Sequence, residues 1–191
     1  MYSPLIERAL HVALAAHEGQ TRKGESTSPY VTHPLHVALM LARFGMEEDV
    51  LAAGLLHDVV EDAPGWTIER VAAEFNPHVA AIVAQLTEDK SKSWEERKSA
   101  GIAKVPHMSP EAASVKACDK LHNLNSLTAS LRARADHDRV WSRFKGGREK
   151  TLAMSKDLVD ALVLRVDPRI GRALRNALTA LHDAAAAPSA S

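Results

Sequence analysis

Gly54-Leu55-Leu56-His57-Asp58-Val59-Val60-Glu61-Asp62-Ala63 is the stretch on which the fold of this chain turns. An apolar helical pattern enters it from Val50 and Leu51, and Pro64-Gly65 ends it. On a 3.6-residue period, Glu61 lies one turn beyond His57 and Asp58, and Asp62 one turn beyond Asp58. One helix face therefore gathers an imidazole and up to three carboxylates over an apolar floor. Burying those charges costs several kcal/mol unless positive charge pairs with them, as a divalent metal does directly. A helix C-terminus also disfavours acidic residues, which strengthens the expectation of a compensating cation. The plain alternative is a charged turn facing water. The rest of the chain decides between the two.

Working outward, 191 residues make one domain with room for a substantial core. Lys and Arg number 24, as do Asp and Glu, so no global basic field exists to hold nucleic acid. The single cysteine, Cys118, excludes a disulfide framework and fits a reducing compartment. No apolar run reaches the roughly 18 residues of a membrane span, and no signal pattern opens the chain. A soluble cytoplasmic protein is expected, with neither nucleic acid nor membrane as partner and with homo-oligomerisation left open.

Ser3-Pro4 reads as N-cap and first-turn proline for a helix to about His17. Gly19 to Tyr30 is a polar loop carrying Arg22 and Lys23. A second helix follows Thr32 and stops at Gly45, and a third spans roughly Glu47 to Glu61. Thr67 caps a fourth through Phe75, and Pro77 opens a fifth through Leu86. Ser93-Trp94-Glu95-Glu96 fits a capping box for a helix toward Ala103. Ser109-Pro110-Glu111 begins a long helix to about Leu131. Residues 135–138 form a turn region, after which a helical pattern, interrupted or kinked at Gly146-Gly147, runs to Leu164. Asp167-Pro168 caps a last helix to about Ala184, and residues 185–191 read as a frayed tail. With no sustained period-2 alternation, the class is all-α, one compact multi-helix bundle.

Candidate metal ligands sit in four segments beside helix ends or on helices: His33, His57, Asp58 and Asp119. Two neutral imidazoles and two carboxylates would cancel the charge of a divalent ion and leave coordination positions free. Mixed nitrogen and oxygen ligation with open positions suits Mn, Fe or Zn better than Ca or Mg. Taken singly, each residue has a structural reading: His33 as a cap before Pro34, Asp119 as a partner of Lys116 or Lys120. Lys145-Gly146-Gly147-Arg148 reads as a kink with exposed cations rather than a phosphate nest. Trp66, Trp94 and Trp141 read as packing residues. The remaining histidines carry no partner pattern, and the helix angle of His122 is taken to point it away from Asp119.

His33, then His57-Asp58, then Asp119 resembles in order and spacing the HD metal-dependent phosphohydrolases. The segments 19–23, 29–34, 57–62 and 115–123 are similar to the hydrolase domain of RelA/SpoT proteins. The short length and the 86–90 segment are most similar to the stand-alone metazoan SpoT homologue and bacterial small alarmone hydrolases. The resemblance implies an HD domain over residues 1–184 that removes the 3′-pyrophosphate of guanosine tetra- or pentaphosphate with Mn²⁺ bound, Fe²⁺ or Zn²⁺ being substitutes. It implies His33, His57, Asp58 and Asp119 as ligands and Glu61 and Asp62 as the catalytic acidic pair. It further implies Arg22, Lys23, Asn123 and Ser126 as contacts to ppGpp or pppGpp. Ser126 stands where the family often has threonine, and Lys120 where bacterial long forms have arginine. Cys118, beside a ligand, is expected to face the packing side. Two other functions stay open on the residues alone: phosphatase or phosphodiesterase action on another nucleotide such as NADPH, and nucleotide binding without catalysis.

Overall fold

In the computed structural model, which describes residues 2–22, 28–133 and 136–187, the chain is helical apart from loops and one isolated β-bridge. Helix α1 (Pro4–Ala16) starts where the Ser3 hydroxyl accepts the Ile6 N–H. Helices α2 (Thr32–Arg43), which Gly45 ends at φ 79°, and α3 (Glu48–Leu56) follow. Next come a short α4 (Val59–Asp62), α5 (Ile68–Glu74) capped by Thr67, and α6 (Pro77–Leu86) capped by Asn76. The Ser93–Glu96 capping box opens α7 (Trp94–Lys104), and a 3₁₀ turn over Val105–His107 leads to α8 (Pro110–Arg132), capped by Ser109. Helices α9 (His137–Trp141), α10 (Gly147–Leu162) and α11 (Pro168–Ala186) complete the chain.

The long α8 is the axis. It packs most extensively on α11 and also meets α2, α3, α6 and α10. Val115, Cys118, Leu121, Leu124 and Leu131 are buried along it, so Cys118 does face the packing side. Burial pushes the Cys118 thiol up to about 12, which leaves it inert. Each fully buried aliphatic side chain, such as Leu55, Leu56 and Leu174, contributes about 1.5–3 kcal/mol. Gly54 lets α3 close on α2: a Cβ there would stand 2.6 Å from Leu41 Cδ1. This packing carries the C-terminus of α3, the start of α2 and the middle of α8 to one place.

Three boundaries depart from the sequence reading. The third helix does not continue to Glu61. It stops at Leu56, because the His57 ring nitrogen Nδ1 binds Gly54 O at 2.8 Å, in place of the backbone N–H four residues on. Asp58 O then accepts the Asp62 N–H at 2.9 Å and starts α4, so the one-turn offset from Asp58 to Asp62 survives. The expected turn at 135–138 is already helical from His137, with Asp136 capping Arg139 N–H at 3.0 Å; Ala135 itself lies outside the described residues. Finally, α11 runs to Ala186 with Ala184 and Ala185 buried, two residues into the expected tail; residues 188–191 lie outside those described.

Candidate metal centre and nucleotide cleft

The loop between α1 and α2 is folded back by two backbone bonds, Arg22 N–H to Ser28 O at 3.0 Å and Tyr30 N–H to Gln20 O at 2.8 Å. That closure aims Arg22 and Tyr30 inward. The Tyr30 hydroxyl donates to Asp58 Oδ2 at 2.6 Å, and the Arg22 guanidinium sits over the Tyr30 ring, 5.8 Å from its centroid.

Below them, one ligand atom each from His33, His57 and Asp58 lies within 4.8 Å of the other two. His57 Nε2 is 3.2 Å from Asp58 Oδ2, and His33 Nε2 is 3.9 Å from the same oxygen. Asp119, from α8, joins through Oδ1, 3.2 Å from His33 Nε2. The two imidazoles are almost fully buried, at 2% and 5% exposure. Since His57 Nδ1 faces a carbonyl, it carries the proton, and Nε2 is left with no hydrogen-bond partner. A buried ring nitrogen set against a carboxylate without a formed hydrogen bond is a poor structural solution and a good metal-ligand one.

The electrostatics agree. Burial alone would lower the His57 imidazole, but the adjoining Asp58 raises it to about 9. Burial would raise Asp58 and Asp119, yet the neighbouring imidazoles, and Lys116 beside Asp119, hold both below the usual carboxylate range. For His33, burial prevails and lowers it. The cluster thus keeps its oxygens anionic and attracts positive charge. The donor set fits a divalent transition metal.

Glu61 and Asp62 lie on the same wall. Glu61 Oε1 accepts the Glu88 N–H at 2.8 Å, and Asp62 pairs with Lys90. Asn123 bridges the two halves of the site: its Nδ2 donates to Asp119 Oδ1 at 2.6 Å, and its Oδ1 accepts from Arg22 at 3.1 Å. Asp119 and Asn123 belong to both the metal cleft and an adjoining cavity of about 700 Å³, which Arg22 and Ser126 also line. Lys23 falls outside the described residues.

Several participants carry no role in the sequence reading. Tyr30 anchors Asp58. Glu88 is held by Arg97, Lys98 and Lys116, with Lys98 Nζ at 2.9 Å. Trp94 and Lys98 line both cavities, while Trp141 is core. His122 requires a correction. Its Nδ1 lies 2.9 Å from His33 Nδ1, not away from the site. Three residues along a helix turn it 300°, so it stands only about 60° from Asp119 on the helix circumference. That arithmetic was available in the sequence.

A family model described as HD domain matches residues 9–151. The guanosine-3′,5′-bis(diphosphate) 3′-pyrophosphohydrolase MESH1 of Xenopus tropicalis is 38% identical over 147 residues, 76% of this chain and 82% of that protein. Its Homo sapiens counterpart is 40% identical over 125 residues, 64% and 69% of the two chains. Among solved structures, a metazoan orthologue of SpoT that hydrolyzes ppGpp and plays a role in starvation responses aligns with a TM-score of 0.80 and 30% identity. That alignment covers 94% of this chain and 96% of that one. A Listeria monocytogenes protein aligns at TM-score 0.68 and 35% identity, over 80% and 98%.

Proposed function

Because this chain belongs to the HD-domain family of metal-dependent phosphohydrolases, we propose that it hydrolyses guanosine 3′,5′-bis(diphosphate), or the pentaphosphate, to GDP or GTP and pyrophosphate. The observation that carries this reading is the convergence of His33, His57 and Asp58 within 4.8 Å, directly beside a cavity of nucleotide size. Asp119 completes the ligand set from α8, and all four residues would hold Mn²⁺. When bound, such an ion supplies charge that acidifies water and offsets phosphate charge.

The chain's own residues do the rest. Glu61, its carboxyl raised by burial, takes a proton from the attacking water. The water oxygen attacks the phosphorus attached to the ribose 3′-oxygen. That P–O bond breaks, the 3′-oxygen keeps its electron pair and gains a proton, and pyrophosphate departs. Asp62, fixed by Lys90, orients the water beside Glu61. Arg22 stacks its planar guanidinium on the purine or forks onto phosphate, with Lys23 supplying a mobile charge near it. Asn123 and Ser126 hold the sugar and base side of the substrate, and Tyr30 keeps Asp58 in one orientation. Among the described residues no helix is long and apolar enough to cross a membrane, and the buried, unpaired Cys118 supports a reducing, cytoplasmic setting.

Incubation of Mn²⁺-loaded protein with ppGpp should release GDP and pyrophosphate in equal amounts. A metal-replete sample that leaves ppGpp intact overturns the proposal. Release of orthophosphate from NADPH, with ppGpp untouched, would identify a monoesterase instead.

A further inference from the structure

We propose that His122 is the positioning residue that fixes the tautomer of the metal ligand His33. The inference rests on the metal reading above. The two Nδ1 atoms face each other at 2.9 Å, and a bond between neutral imidazoles can hold one proton only. When His33 offers its Nε2 lone pair to a cation, its own proton must sit on Nδ1, and His122 Nδ1 is the acceptor that receives it. His57 solves the same problem with a backbone group, Gly54 O at 2.8 Å. Both imidazoles therefore turn Nδ1 outward and Nε2 toward the carboxylates, His33 toward Asp58 and Asp119 and His57 toward Asp58. The His33 arm alone depends on a replaceable side chain.

The acceptor is itself held in place. His122 sits on the same face of α8 as Asp119, and the ring of His36, one turn along α2 from His33, stacks on it at 4.9 Å and 30°. The rings of His33 and His122 are 4.9 Å apart. Helices α2 and α8 thus each supply one ligand, and the His33–His122 bond ties the two ligand-bearing segments together directly behind the cluster. An outer partner of this kind orients the ligand and increases its basicity.

Metal affinity, read separately from turnover, tests this. The dissociation constant for Mn²⁺ is measured by competition with a chromophoric chelator in the wild type, His122→Phe and His122→Asn. His122→Phe keeps a ring but loses the acceptor, and should weaken Mn²⁺ binding about 10- to 100-fold. His122→Asn places an amide oxygen near the lost nitrogen and should recover affinity to within roughly threefold of wild type. Wild-type affinity in His122→Phe overturns the proposal, as does an equally weak His122→Asn whose circular dichroism matches wild type. Should His122→Phe fail to fold, ¹⁵N imidazole spectra of the Zn²⁺-loaded wild type decide. They should find the His33 proton on Nδ1 and none on His122 Nδ1, and the reverse pattern overturns the proposal. Tight Mn²⁺ binding without ppGpp turnover would sink the proposed function and leave this inference standing. No affinity for divalent metal would sink both.

Discussion

Glu61 is pulled two ways: burial raises its carboxyl, while the hydrogen bond from Glu88 N–H lowers it, and burial prevails. A base must be ionised to act, so kcat/KM should fall as pH drops through a value above the ordinary 4.5 of glutamate. An acid limb at or below that ordinary value, measured on Mn²⁺-loaded protein, would remove Glu61 from the role. Glu61→Gln should lose about 10²- to 10⁴-fold in turnover while retaining metal by elemental analysis. Asp119→Ala should lose the metal too, and equal loss in both variants would mean the roles are misassigned. Glu88 has the opposite bias. Burial would raise it, but Lys98, Lys116 and Arg97 hold it below 4.5. Its folded value is depressed, so its stabilising effect is present above 4.5 and disappears as pH falls through the folded value. Glu88→Gln should therefore flatten part of the acid limb in a stability-versus-pH titration.

Among elements, the ends set by local chemistry were legible. Ser3, Thr67, Ser93, Ser109 and Asp167 each cap the helix the sequence assigns to them, because an N-cap needs only one oxygen and the next few residues. The break after Leu56 was not legible. Periodicity carries straight through it, and the interruption comes from the His57 side chain occupying a carbonyl that a helix would reserve for its backbone. The tight α2–α3 approach at Gly54 gives a direct test. Alanine gains about 1 kcal/mol of helix propensity, but its Cβ would drive into the fully buried Leu41, and overpacking costs about 1–3 kcal/mol. Gly54→Ala should melt lower by roughly 2–4 °C, and Gly54→Val lower still. A stabilised alanine variant would show that the two helices have room to spare.

For the whole molecule, a cation held at the proposed ligand cluster should couple site to stability. A cation that binds only the folded chain, at about 100 times its Kd, adds roughly 2.7 kcal/mol. At about 2–4 °C per kcal/mol for a chain of this size, chelation should lower the melting temperature by roughly 5–10 °C. Identical melts with and without Mn²⁺ would argue that the four residues do not act as one centre. His33, His57, Asp58 and Asp119, which the structure brings together, could be found in advance through the order and spacing they share with a known family, since taken singly each also has a structural reading. Tyr30 and Glu88 could not, since the tyrosine meets the site through Asp58, 28 residues away, and the glutamate through Glu61, 27 residues away, contacts that exist only once the chain has folded.

Helix α7 contributes no buried residue over its 11 positions, although Trp94 and Lys98 line both cavities. Protection against solvent deuterium should accordingly be graded across the fold. The amides of α7 should exchange through small local openings, while those of α8, locked by Leu124 and Leu131, wait for global unfolding. That wall of the two cavities should therefore open locally and on its own timescale while the core around α8 stays closed.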